Sequence, residues 1–314
     1  MGSHHHHGSG HNRELSLFIA TAITGAFMLV EFIAGWWSHS LALMADAVHM
    51  LADAGALGLA LFAVRLSRRH ADDHRTFGYG RLQVLAAFIN GLLVLGLGSI
   101  IFTQAFRRLY RGTSPEVNSD IMLWVAVAGL VVNLVILLIL HRGDTRSVNI
   151  RAAILHVASD ALSSGAVILG ALLIQFTAWN AWDSIVTMGV ALLIANSAKN
   201  ILLESGHILL EGRPPNLKLD EVTNTIKGMV PEVIELHHVH AWSLSGEDVL
   251  ITLHARLVEG AGRHDDEILA AIKTVLREKF GIYHSTVQTE RRACADDGMT
   301  VYGHHQDHHH DHKH

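Results

Sequence analysis

The chain has 314 residues, of which 50% are hydrophobic and only 17% charged. Soluble domains carry about a quarter charged residues, so a globular cytosolic enzyme, a disordered protein and a secreted disulfide scaffold are all poor fits. The formal charge of -5 gives no case for nucleic acid, and the one cysteine, Cys294, cannot close a disulfide within the chain.

Spanning a bilayer takes about 20 mostly apolar residues per helix. Apolar runs at about 15–37, 41–66, 84–106, 121–140, 150–176 and 183–203 predict an α-helical membrane protein with six transmembrane helices. The expected division is a His-rich N-terminal tail over 1–12, a transmembrane domain over 13–206, a soluble domain over 207–292 and a His-rich C-terminal tail over 293–314. The approach to the first run is polar and His-rich rather than basic, unlike a cleavable signal. The opening Met1-Gly2-Ser3-His4 is compatible with an expression tag as well as with native sequence.

Arginines set the expected orientation. Arg65, Arg68, Arg69, Arg75, Arg81, Arg142, Arg146 and Arg151 flank the second and fourth loops, against Arg107, Arg108 and Arg111 in the third. The positive-inside rule then places the even loops, both termini and the soluble domain in the cytoplasm. Within 207–292 the pattern reads helix (220–229), strand (234–244), strand (249–258), helix (264–280), strand (283–290), an αββαβ order. Val249, Ile251, Leu253, Ala255 and Leu257 alternate with polar residues, as a half-buried strand requires. About 85 residues is too short for a deep catalytic cleft, which points to regulation or oligomerisation.

Two of the apolar helices each carry a His-x-x-x-Asp pair: His49 with Asp53 in the second, His156 with Asp160 in the fifth. Residues four apart share a helix face, and at ~1.5 Å per residue all four side chains fall inside the hydrocarbon. An ionisable group there costs ~2.5–3.5 kcal/mol and marks a functional site. Two imidazoles and two carboxylates make a four-coordinate set that suits zinc, whereas magnesium and calcium want six or more oxygens. A metal-free proton relay could use the same residues, but the duplication favours metal. The pairs occupy the second helix of each three-helix half, as in an inverted repeat with a midplane site, which is a transporter arrangement. An intramembrane metalloprotease would need His-Glu-x-x-His, and the sequence has none. Ligating histidines are neutral and ligating aspartates ionised, so metal binding displaces protons and alternating access would exchange zinc for protons.

Other residues stay open on their own evidence. His240 and His254 are expected at cognate places on adjacent strands, as metal ligands or as a solvated strand face. Asp46 shares the stripe of Asp53, on an exit path or as the partner of a polar helix end. Glu31, Asn90 and Asn133 interrupt apolar helices, the two asparagines as interhelical hydrogen-bonders. The His-rich tails could gather ions or have only incidental affinity.

The stretch Leu41-Ala42-Leu43-Met44-Ala45-Asp46-Ala47-Val48-His49, together with Phe77-Gly78-Tyr79-Gly80-Arg81, Asn149-Ile150-Arg151-Ala152-Ala153 with His156, and His237-His238-Val239-His240-Ala241-Trp242, resembles the cation diffusion facilitators. Within that family the likeness is to bacterial zinc exporters, over roughly 13–292. The resemblance implies a homodimeric zinc–proton antiporter of the bacterial inner membrane, with a cytoplasmic metallochaperone-like domain. By it His49, Asp53, His156 and Asp160 form the transport site, zinc-preferring with cadmium secondary. His240, His254 and Glu290 fall where relatives bind structural or regulatory zinc. Gln288 stands where some relatives have a second histidine, for which His237 and His238 could compensate. Of a loop metal site only Asp72 matches, with His74 nearby. Arg81 and Glu211 resemble a charge interlock between the membrane domains and the hinge. The rival readings are a membrane-anchored metal sensor or buffer, and a carrier of protons or another cation.

Overall fold

The computed structural model describes residues 25–51, 55, 58, 71–141, 148–246, 248–260 and 262–292, with the backbone alone over 136–141 and 148–159. The tails and Asp53 lie outside these residues. The chain divides into two compact units, Met1–Leu209 and Leu210–His314.

The first unit is helical. Its described helices are α1 (Gly25–Trp37), α2 (Leu41–Leu51), α3 (Arg81–Arg111), α4 (Ser119–His141), α5 (Val148–Thr177) and α6 (Ala181–Leu209). Among the described residues, Arg81–Arg111, Asp160–Thr177 and Ala181–Leu209 are long and apolar enough to cross a membrane. Helices α3 to α6 overrun their apolar runs at both ends: α3 begins at Arg81 and continues through Arg107, Arg108 and Arg111. Hydropathy measures the span inside lipid, whereas backbone hydrogen bonding carries the helix on into the polar interface.

Packing in this unit is inverted relative to a soluble protein. Large apolar side chains such as Trp36, Trp124, Ile100 and Phe176 face outward, while Glu31, Asp46, Asn90 and Asp183 are buried. That distribution suits a lipid surround. Small residues let helices approach: Gly91 and Gly98 of α3 seat Leu202 and Ile194 of α6, and Gly170 of α5 seats Val186 of α6. Among α3 to α6 the close pairs are α3 with α6, α4 with α5 and α5 with α6.

The second unit follows the order α7 (Leu219–Met229), β1 (Val233–Ser243), β2 (Val249–Leu257), α8 (Asp265–Phe280), β3 (His284–Glu290). The sheet runs β1-β2-β3, with β1 antiparallel and β3 parallel to β2. Alternating β2 residues Ile251, Leu253, Ala255 and Leu257 meet Val222 and Ile226 of α7 and Ile268, Ile272 and Leu276 of α8 in one apolar core. α8 ends at Gly281, whose left-handed backbone (φ 66°) closes the helix and turns the chain toward β3. β1 carries a register shift between His237 and His240, with His238 at φ 46°. This bulge decides which histidines meet across the strands.

Candidate metal centres

In the membrane unit, Asp46 and His49 lie one turn apart on one face of α2, as do Asp160, Ser163 and Ser164 on α5. The two faces meet. His49 Nε2 lies 3.2 Å from Asp160 Oδ1, with side chains only 12% and 14% exposed. Ser163 Oγ donates to Asp46 Oδ1 at 2.6 Å and Ser164 Oγ to Asp46 Oδ2 at 3.2 Å. One member of each expected pair, His49 and Asp160, is therefore brought together. Asp53 lies outside the described residues, and so does the side chain of His156 on α5. The partners of Asp46 are two serines of α5 rather than a polar helix end.

Sequence reasoning passes over Asp183. This carboxylate on α6 is buried and accepts hydrogen bonds from Ser40 Oγ (2.7 Å) and from the backbone N–H of Leu41 (2.9 Å) and Ala42 (3.1 Å). Its one sequence signal is an acidic residue in the first turn of an apolar helix. Glu31 of α1 is fully buried, and neither carboxylate oxygen has a hydrogen-bond partner among the described residues. Gly129 of α4 leaves the room it occupies, since a Cβ there would lie 2.7 Å from Glu31 Oε1.

In the second unit, His237, His254 and Glu290 bring three potential ligand atoms within 4.8 Å of one another. Glu290 Oε2 lies 3.1 Å from His237 Nε2, and Glu290 Oε1 lies 3.0 Å from His254 Nδ1. Gln288 Nε2 also donates to Glu290 Oε1, at 2.9 Å. The His238 ring stands 5.4 Å from that of His237 and 5.0 Å from that of His254, centroid to centroid. The expected pairing of His240 with His254 is corrected here: His237 is the cross-strand partner of His254, and His240 pairs with Thr252 and is exposed. The bulge at His238 displaces the register, and alternation along the strand gives no warning of it. Two imidazoles and a carboxylate at this spacing are a ligand set for zinc with room for a fourth donor.

In the loop before α3, Asp72 serves a turn. It accepts from Tyr79 Oη at 2.7 Å, and its Oδ1 takes the N–H groups of Arg75 (2.7 Å) and His74 (2.9 Å). The Tyr79 hydroxyl, followed by the Arg75 amide, holds the Asp72 carboxyl below its ordinary range. Arg75 stacks over the Tyr79 ring at 4.8 Å, and the His74 side chain is exposed. Arg81 opens α3, and Glu211 follows α6 in a left-handed conformation (φ 59°).

Comparison with known proteins matches residues 17–210 to the cation efflux transmembrane domain and residues 214–292 to the cytoplasmic domain of cation efflux proteins. A protein of Pectobacterium atrosepticum named zinc transporter ZitB is 41% identical over 98% of this chain and 93% of its own length. Metal cation efflux system protein CzcD of Cupriavidus metallidurans is 39% identical over 94% of this chain and 92% of its own. A Bacillus velezensis protein named cadmium, cobalt and zinc/H(+)-K(+) antiporter is 36% identical over 96% of both. Among solved structures, the metal-bound C-terminal domain of a Cupriavidus CzcD transporter is 32% identical, over 24% of this chain and 99% of that one, with a TM-score of 0.21.

Proposed function

The chain belongs to the cation efflux family, a family of transporters rather than enzymes, and from that premise we propose that it exports zinc, with cadmium secondary, in exchange for protons. The observation that carries this reading is the contact of His49 with Asp160 across α2 and α5. Moving from Asp46 to His49 on α2 moves the partner from Ser163 back to Asp160 on α5, so the helices run antiparallel at this seam. If that register continued for one further turn, Asp53 would face His156. Two antiparallel helices each bearing His-x-x-x-Asp then offer two nitrogens and two oxygens around one point, and zinc takes that set tetrahedrally.

Exchange follows from the ligands. Zinc requires neutral imidazoles and ionised carboxylates, so a site opening to the other side can trade the metal for protons. Six spans, with both termini and the soluble domain in the cytoplasm, accord with the apolar runs and the arginine distribution. The names and organisms of the relatives support the bacterial inner membrane as the location. The cytoplasmic centre of His237, His254 and Glu290, with Gln288 and His238 beside it, would hold a zinc ion in a homodimer. Filling it would bias the membrane domains toward one facing state by ~1–3 kcal/mol, the ordinary range of allosteric coupling.

The test is zinc uptake into proteoliposomes under an imposed pH gradient, comparing the wild type with Asp53→Ala and Asp160→Ala. The wild type is expected to move zinc against its gradient and both variants to fall to background. A wild type that only binds zinc and saturates would make the protein a buffer or sensor. A rate indifferent to collapse of the pH gradient would remove the proton coupling.

A further inference from the structure

Helix α2 carries His49 and Asp46, and its first turn is held from another part of the chain. A helix start leaves backbone N–H groups without partners inside the helix. Ser40, the residue before α2, takes the N–H of Leu43 on its Oγ at 3.2 Å and donates the same hydroxyl to Asp183. Asp183 takes the N–H groups of Leu41 and Ala42 directly. The serine satisfies one of these donors, and the carboxylate that takes two more comes from α6, more than 140 residues away, rather than from the local chain. It ties the start of α2 to α6, which packs along α3 and α5.

The turn into α2 is braced on the same side. Arg108 Nη1 of α3 donates to the carbonyl of His39 at 3.0 Å and lies 3.8 Å from Asp183 Oδ2. His39 adopts a left-handed backbone (φ 58°), which a non-glycine residue holds only when its surroundings fix it. From Ser40 to His49 is nine residues, ~13 Å along the axis. A slip of one residue would turn the helix face by about 100° and carry His49 away from Asp160. Buried Ala42, Leu43, Ala45 and Val48 pack against neighbouring helices and resist such a slip by contact, and the carboxylate adds directional hydrogen bonds that only one axial position and rotation can satisfy.

We infer that Asp183 is a positioning residue for the transport site: its carboxylate fixes the axial position and rotation of α2, and so the approach of His49 to Asp160. The inference rests on the proposed zinc transport. Asn is the informative substitution. Its carbonyl oxygen can still accept from Ser40 and Ala42, while its amide nitrogen would point a donor at the Leu41 N–H and at Arg108.

The experiment measures zinc transport kinetics in proteoliposomes, equilibrium zinc binding and thermal unfolding for the wild type, Asp183→Asn and Ser40→Ala. Asp183→Asn is expected to raise the KM for zinc on the order of tenfold, the low end for losing a group that orients a metal ligand, and to weaken zinc binding in parallel. Ser40→Ala should move both in the same direction by less. A merely structural role would reduce the number of active molecules, lowering kcat at unchanged KM, and that result overturns the inference. Unchanged kinetics in Asp183→Asn overturn it as well. If Asp183→Asn does not fold, the KM of Ser40→Ala decides. If the wild type does not transport, the transport reading fails on its own, and the zinc affinities of the variants still test the positioning.

Discussion

The two units of this chain bury polar groups under opposite rules. In the cytoplasmic unit, α7, α8 and one face of the sheet close over Val222, Ile226, Ile251, Leu253, Ile268 and Leu276, so hydrophobic burial sets which faces of the helices and the sheet meet. Its His237–His254–Glu290 cluster lies on strand residues outside that core. In the membrane unit Trp36, Trp124 and Phe176 face outward, and the inward contacts that distinguish one register from another are Asp46 with two serines, His49 with Asp160, and Asp183 with the start of α2. Lipid tails are as apolar as leucine, so transfer out of water cannot choose a rotation there, and the choice falls to close packing and to these polar contacts. Polar substitutions should therefore act on geometry and transport in the first unit, and on metal affinity or local stability in the second.

The largest expected effect is at the seam itself. His49→Ala removes the imidazole facing Asp160 and should reduce zinc transport in proteoliposomes by more than the ~10–100-fold that losing an outer-shell partner of a metal ligand costs. Retained transport would break the comparison, because it would leave α2 with no chemistry that α5 needs. Asp46→Ala comes next. It strips Ser163 and Ser164 of their common acceptor and leaves two buried hydroxyls unsatisfied, which costs ~1–3 kcal/mol per group. The melting temperature of the purified protein should fall clearly, whereas Asp46→Asn, which keeps one acceptor oxygen, should recover part of the loss. Third, Glu290→Ala removes the carboxylate that faces His237 and His254 and accepts from Gln288. Competition with a zinc chelator should show one class of sites weakened by ~10–100-fold, with the membrane unit's transport KM changed less than in Asp183→Asn.

What the sequence discloses divides along the same line. The cytoplasmic elements are legible to within a residue or so, since period-2 alternation in β2 and the apolar stripe of α8 are local patterns. The His-x-x-x-Asp spacing is local too, so the amino-acid order alone identifies the face that carries His49. The choice of His237 over His240 is not legible in that way. It depends on a bulge at His238 that shifts the pairing against β2, a property of two strands together. Asp183 is hidden for a like reason: its partners at Ser40, Leu41 and Ala42 are far away in sequence, and nothing about an acidic residue at a helix start says it will cap a different helix. Hydropathy likewise locates the runs but not the helix ends, because Arg81 and Arg111 extend α3 past the apolar stretch.

The smallest effect sharpens the contrast from the exposed side. Arg291 donates from Nε to Asp265 Oδ1 at 3.1 Å, pairs with the same carboxylate through Nη2, and donates from Nη1 to the carbonyl of Val258 at 3.2 Å. The guanidinium hydrogen bond, and then its charge, hold the Asp265 carboxyl below its ordinary range. A carboxyl whose pKa is depressed on folding contributes stability above its unfolded value, about 3.9 for aspartate, and loses it as the pH falls through the folded value. Solvent screening keeps such a pair weak. Arg291→Ala should therefore lower the melting temperature of the cytoplasmic unit at pH 7 by only about 1–2 °C. The gap between variant and wild type should narrow as the pH is taken below about 4. It should not close completely, because the bond to the Val258 carbonyl does not titrate. A gap that is constant from pH 7 to pH 3 would assign the whole effect to that carbonyl, and a gap as large as that of Asp46→Ala would overturn the claim that exposed charge pairs matter less here than buried ones.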